Sequence, residues 1–145
     1  MGGRGGSGVA NKSSNAVKGI ALLQGAVSKA RTDMLISAYS QLDKKPMSEM
    51  TNEEKMVRAV TMDELSKRGR MINDYATGES KLTKEKNIVN IGEKSYRVNS
   101  IEKRSLGGNA AEIADADVYI KGKWVHVKNA QISINVGREY RRKKK

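Results

Sequence analysis

The feature that most constrains this chain is a change of hydrophobic period near residue 86. Upstream, Ile20, Leu23, Val27, Ala30, Met34, Ala38 and Leu42 recur at spacings of three and four. That spacing places them on one face of an amphipathic helix. Downstream, Ile88-Val89-Asn90-Ile91 and Tyr96-Arg97-Val98-Asn99-Ser100-Ile101 alternate with a period close to two, as half-buried strands do. Helical pattern first and strand pattern second predicts an α+β fold. About three N-terminal helices should precede a small antiparallel β-sheet of four to five strands, between flexible termini.

Local signals set the expected boundaries. Ser13 or Ser14 can cap the first helix. Gly19 and Gly25 weaken it, and Lys44-Lys45-Pro46 ends it, because the residue before proline avoids helical geometry. Thr51-Asn52-Glu53-Glu54 and Thr61-Met62-Asp63-Glu64 both fit the capping box. They predict a short helix over about 52–60 and a longer one over about 62–77, with Gly78 as its terminator. Lys67, Arg68 and Arg70 read as a solvated helix face. Further on, Gly92-Glu93-Lys94 reads as a turn, Leu106-Gly107-Gly108-Asn109 as a loop, and Ala110 to Ala114 as either a helical turn or an edge strand. Two strands joined at Lys121-Gly122 follow, and a last strand is expected at about Gln131 to Val136.

A length of 145 residues suits one domain, here 13–137, helical over 13–78 and β-rich over 87–137. It would lie between a glycine-rich arm, 1–12, and a basic tail, 138–145, both disordered. Several classes are excluded. With no cysteine there is no disulfide framework, thiolate zinc site or cysteine catalysis, and with one histidine no multi-histidine metal site within the chain. No apolar run approaches the ~18 residues a membrane span needs. The start shows no apolar core with a cleavage site, so the host cytoplasm is the expected location. Aromatics make up 4% and there is no phenylalanine, so the seven methionines must supply core bulk. They also leave room for a helical homodimer interface.

The formal charge is +12, and its distribution is uneven. The stretch 46–115 is balanced, whereas Arg138, Arg141, Arg142, Lys143, Lys144 and Lys145 against the single Glu139 give +5 at the C-terminal end. A basic arm of this kind points to nucleic acid, through phosphate contacts that release counterions.

The segment Asp117 to Lys128 is the most informative. A two-residue Lys121-Gly122 loop sets the register: Ile120 opposite Lys123, Tyr119 opposite Trp124, Val118 opposite Val125, Asp117 opposite His126. Alternation then gives one face of Val118, Ile120, Val125 and Val127, expected to be buried. The other face carries Asp117, Tyr119, Trp124, His126 and Lys128. Asp117 can bond His126 across the pair. Tyr119 and Trp124 can stack on each other under a covering helix, or offer an open platform to bases beside cations.

Asp117, followed by the strand Val125-His126-Val127-Lys128, resembles the core of the PD-(D/E)XK nucleases over Asp117 to Lys128. The resemblance implies a magnesium-binding acid at Asp117 and a lysine at Lys128 that assists water or phosphate. His126 stands where the family has its second acid, and imidazole is a poor ligand for magnesium. The resemblance therefore accommodates an inactive nuclease-like domain with no cofactor, or a divergent nuclease using Asp117, His126 and Lys128. Separately, the opening MGGRGGSG is similar to the glycine–arginine start of small phage and mobile-element proteins of Gram-positive bacteria. That implies phage nucleic-acid handling or counter-defence.

Three readings follow. The first is a non-enzymatic module that binds nucleic acid or a nucleoprotein complex through Tyr119, Trp124, Lys128, Arg138, Arg141, Arg142, Lys143, Lys144 and Lys145. The second is a counter-defence, anti-CRISPR-like protein that inhibits a bacterial immune nuclease by protein contact. The third is the divergent nuclease, the only one that calls for magnesium.

Overall fold

The computed structural model describes residue 19, residues 21–106 and residues 108–144. The arm expected at 1–12, the Ser13/Ser14 cap and Lys145 lie outside the described residues. The chain divides into two compact units, one up to Glu64 and one from Leu65 to Lys145. The helices and the two antiparallel sheets make an α+β fold.

In the first unit, the helix expected to run from 13 to about 44 is two helices. Helix α1 is described over 21–29, and α2 spans Thr32–Asp43. Ser28 Oγ bonds back to the Gly25 carbonyl at 2.8 Å, and the Ala30 N–H closes a tight turn on Val27. Such side-chain competition for the backbone ends helices. Arg31 is then extended, and Asp33 stands in the first turn of α2, where a negative charge suits the helix dipole. The break rotates the buried face: Leu35 and Tyr39 are buried, whereas Met34 is 61% exposed. A 3-10 turn, Met47–Glu49, leads to α3, Asn52–Lys67.

The first capping box forms as the sequence predicts. Glu54 N–H donates to Thr51 Oγ1 at 3.1 Å, and Thr51 N–H donates to Glu54 Oε1 at 3.0 Å. The second does not start a helix. Thr61 lies within α3 and is 1% exposed, because no glycine or proline interrupts the backbone there. Arg58 ties α3 to α2, with Nη2 2.9 Å from Asp43 Oδ1 and 3.3 Å from the Tyr39 hydroxyl.

Helix α3 stops ten residues earlier than the expected end at 77. Gly69 adopts φ +74°, the Arg70 N–H bonds to the Leu65 carbonyl at 2.8 Å, and the Gly69 N–H bonds to Ser66 at 3.0 Å. This is a Schellman ending. Met71-Ile72-Asn73 is thereby freed to form β1 (Met71–Asn73), which pairs with β2 (Ser80–Leu82). Gly78 serves the turn between them.

The main sheet of the second unit is an antiparallel meander in chain order: β3 (Ile88–Ile91), β4 (Lys94–Leu106), β5 (Asn109–Ile120) and β6 (Lys123–His126). Ala110 to Ala114 is therefore strand. A register shift between Val98 and Ser100 bends β4. Beyond it, Ser100–Leu106 and Asn109–Asp115 run as a two-stranded ribbon past the ends of β3 and β6.

The strand expected at Gln131 to Val136, and the disordered tail expected after it, are instead one helix, α4 (Ala130–Lys144). Asn129 Oδ1 caps it by accepting the Ile132 N–H at 3.0 Å. Ile132, Val136 and Tyr140, at helical spacing, pack on Val89, Tyr96, Val98, Ala114, Ala116 and Val127. The apolar face of the sheet needs such a cover. Helix α4 lies mainly on β5, β4 and β3. Val125 on the edge strand β6, expected to be buried, is 46% exposed.

Candidate functional site

The hairpin register matches the one read from the sequence, residue for residue: Asp117 with His126, Val118 with Val125, Tyr119 with Trp124, Ile120 with Lys123. Its turn has both central residues at positive φ, Lys121 at 52° and Gly122 at 75°. This is the twist a two-residue hairpin loop requires. Lysine is an unusual occupant of such a position, and Asp74 in the β1–β2 turn holds it there. Its carboxylate accepts the Lys121 N–H at 2.9 Å and the Gly122 N–H at 2.7 Å, besides the N–H groups of Ala76 and Thr77. Burial pushes this carboxyl up, but the four backbone hydrogen bonds outweigh it and hold Asp74 below the usual carboxylate range.

The face opposite α4 is divided. Over β3 and the start of β4 it is covered by the β1–β2 hairpin together with the end of α3 at Ser66. There Asn90 Nδ2 donates to the Ser66 and Met71 carbonyls at 2.9 and 3.0 Å. Ser95 Oγ bonds Asn90 Oδ1 and accepts the Asn73 N–H at 2.6 Å. Over β5 and β6 the same face opens. Across the sheet one row reads Ile88, Arg97, Asp117, His126. Arg97 Nη2 lies 3.0 Å from Asp117 Oδ2, and Asn99 Nδ2 lies 3.2 Å from it. His126 Nδ1 is 3.5 Å from Asp117 and 3.6 Å from Asp115. Burial would raise the Asp117 carboxyl. The hydrogen bonds from Asn99 and Arg97, the Arg97 charge and the His126 contact together keep it low.

Beside this row, the Tyr119 and Trp124 rings meet edge to face, centroids 4.9 Å apart. The Arg97 guanidinium stands 4.6 Å from the centre of the Trp124 ring, and Lys81 Nζ stands 5.1 Å from that of Tyr119. Both rings are half-buried. They therefore form a packed layer with the protein's own cations on them, worth about 0.5–1 kcal/mol per cation at such sites. Arg97 Nε is buried with no hydrogen-bond acceptor among the described residues, so the indole face and one carboxylate oxygen hold the guanidinium.

Of the nuclease-like trio, Asp117 and His126 come together; Lys128 is the third. It lies past the end of β6, exposed, in the link to α4. The Asp117 carboxylate is already committed to Arg97 and Asn99. Among the described residues no group of three His, Cys, Asp or Glu side chains is arranged to hold a metal ion.

The tail cations take distinct positions on α4. Lys143 turns inward and donates to the Ile88 carbonyl at 2.7 Å. Arg142 pairs with Glu139 at 2.8 Å, and Arg141 Nη1 stands 3.7 Å from Glu112. Arg138 is exposed. Lys144 continues the helix.

Comparison with family models, curated proteins and solved structures gives no match to this chain. The geometry therefore carries the functional argument alone. Sequence reasoning did not single out Arg97, Asn99, Lys81, Asp115 or Glu112. Arg97 alone carried a signal, its parity on β4, which puts it across from Asp117 once the β4–β5 register is known. No helix among the described residues is long and apolar enough to cross a membrane.

Proposed function

We propose that this chain is a non-enzymatic nucleic-acid-binding module of phage or mobile-element type, contacting the phosphate backbone through the cations of α4. One observation carries the reading: the most basic stretch of the sequence is the outer part of an ordered helix docked on a sheet. Arg138, Arg141 and Arg142 are exposed there at fixed spacing. Cations on a rigid element meet phosphates without the ordering cost that a loose arm bears on binding. A net charge of +12 adds the long-range attraction that steers a polyanion to them. The glycine–arginine opening supports the phage or mobile-element setting.

The test is fluorescence anisotropy with labelled duplex DNA and single-stranded RNA of mixed sequence, across about 50 to 200 mM salt, where phosphate-driven binding changes most visibly. Log affinity should fall linearly with log salt, and the combined change Arg138→Gln, Arg141→Gln and Arg142→Gln should flatten that line. Wild-type protein with no salt-dependent binding to either ligand would overturn the reading.

A further inference from the structure

The cations of α4 are not equivalent. Lys143 is used up by backbone carbonyls, and Arg142 is neutralised by Glu139. Arg138 and Arg141, one turn apart, line a cleft of about 180 Å³ with Ala110, Ala111, Glu112 and Ile134. Arg138 forms no ion pair among the described residues, and Arg141 holds Glu112 only at 3.7 Å. The other wall is the ribbon part of β5. β6 pairs with β5 only from Asp117 onward, so no strand lies beside 110–114 on that side among the described residues. Alternate backbone N–H and C=O groups of this strand point away from β4, and the Glu112 carbonyl and the Ala114 nitrogen lie against Gly137 of α4. Lys103, directly across from Glu112 on β4, adds a cation on the α4 side of the ribbon.

We infer that this cleft seats one phosphodiester group of the nucleic-acid backbone, gripped by the Arg138 and Arg141 guanidinium groups. Guanidinium forks match phosphate oxygens in pairs, which a lone lysine cannot do. Glu112 is the built-in competitor: it occupies Arg141 until a phosphate displaces it. The inference rests on the nucleic-acid reading above and assigns the contact to two arginines and not to the tail as a whole.

The experiment compares three variants of the full chain, each checked for unchanged thermal melting. Arg138→Gln with Arg141→Gln should lower the salt slope on duplex DNA by ~1.8, the value for two lost phosphate contacts. Arg31→Gln, a cation of the first unit paired with Asp33, should leave the slope close to wild type. Glu112→Gln should tighten binding several-fold, because it frees Arg141. A double arginine variant with the wild-type slope, or a Glu112→Gln variant that binds no tighter, overturns the cleft while the broader nucleic-acid reading stands. If wild type binds no nucleic acid, that reading fails, and pyrophosphate titration read by NMR of the arginine Nε–H groups decides the cleft by itself. Selective shifts at Arg138 and Arg141 support an anion site, and uniform or absent shifts remove it.

Discussion

At the scale of single residues, Gly137 shows how closely helix and sheet approach. A Cβ placed there would lie 2.9 Å from the Glu112 carbonyl carbon and 3.2 Å from the Ala114 nitrogen, both of them backbone atoms. Backbone cannot swing aside as a side chain does. Gly137→Ala should therefore destabilise the second unit by about 1–3 kcal/mol, the usual cost of overpacking, despite alanine's better helix propensity. Urea denaturation followed by circular dichroism measures it. Asp74 gives a pH-dependent counterpart. Its carboxyl is held low in the folded protein, so its contribution to stability is full above the ordinary carboxylate range. That contribution is lost as pH falls through the depressed native value. Asp74→Asn should lower stability at neutral pH and make the acid limb of the stability–pH curve shallower, as seen in urea midpoints at stepped pH. A variant with the wild-type acid limb would show that the clip on Lys121 and Gly122 contributes nothing.

At the scale of elements, α4 is where sequence and structure part. Ile132, Ile134 and Val136 alternate, and β-branched residues in alternation read as strand. The helix also satisfies a second pattern in the same residues, Ile132, Val136 and Tyr140, which emerges only when the window extends into the basic stretch. Charge repulsion argued for disorder there. Burial of Val136 and Tyr140 on the sheet and the Lys143 hydrogen bond to Ile88 oppose it. Deleting 138–145 should therefore destabilise the second unit and not merely remove charge, with a clear drop in its melting temperature. A truncated chain melting like wild type would return these residues to the status of a loose arm. The α3 boundary missed for a related reason. Gly69 and Gly78 are equally good terminators by composition, and the choice was made by whether Met71 and Ile72 bury on a helix or on β1.

At the scale of the whole molecule, the change of period near residue 86 was enough to read the α+β class, and Lys121-Gly122 was enough to read the hairpin register. Both rest on local backbone rules. What stayed hidden depends on contacts distant in sequence: Asp74 reaching Lys121, Arg97 reaching Trp124 and Asp117, Arg141 reaching Glu112. The charge of +12 divides in the same way. Its sign and location were legible, but which cations remain available was not, because Lys143 and Arg142 are engaged by the fold.

The strand order of the main sheet has a kinetic consequence. Each strand lies next to its neighbour in sequence, so hairpins can close one after another, each over a short loop. The long β4–β5 ribbon offers the most extended ladder on which such growth can begin. The docking of α4 spans a longer separation, back to Ile88, and belongs to the later part of assembly. Until α4 docks, the apolar face bearing Tyr96, Val98, Ala114 and Ala116 lacks the cover that Ile132, Val136 and Tyr140 give it.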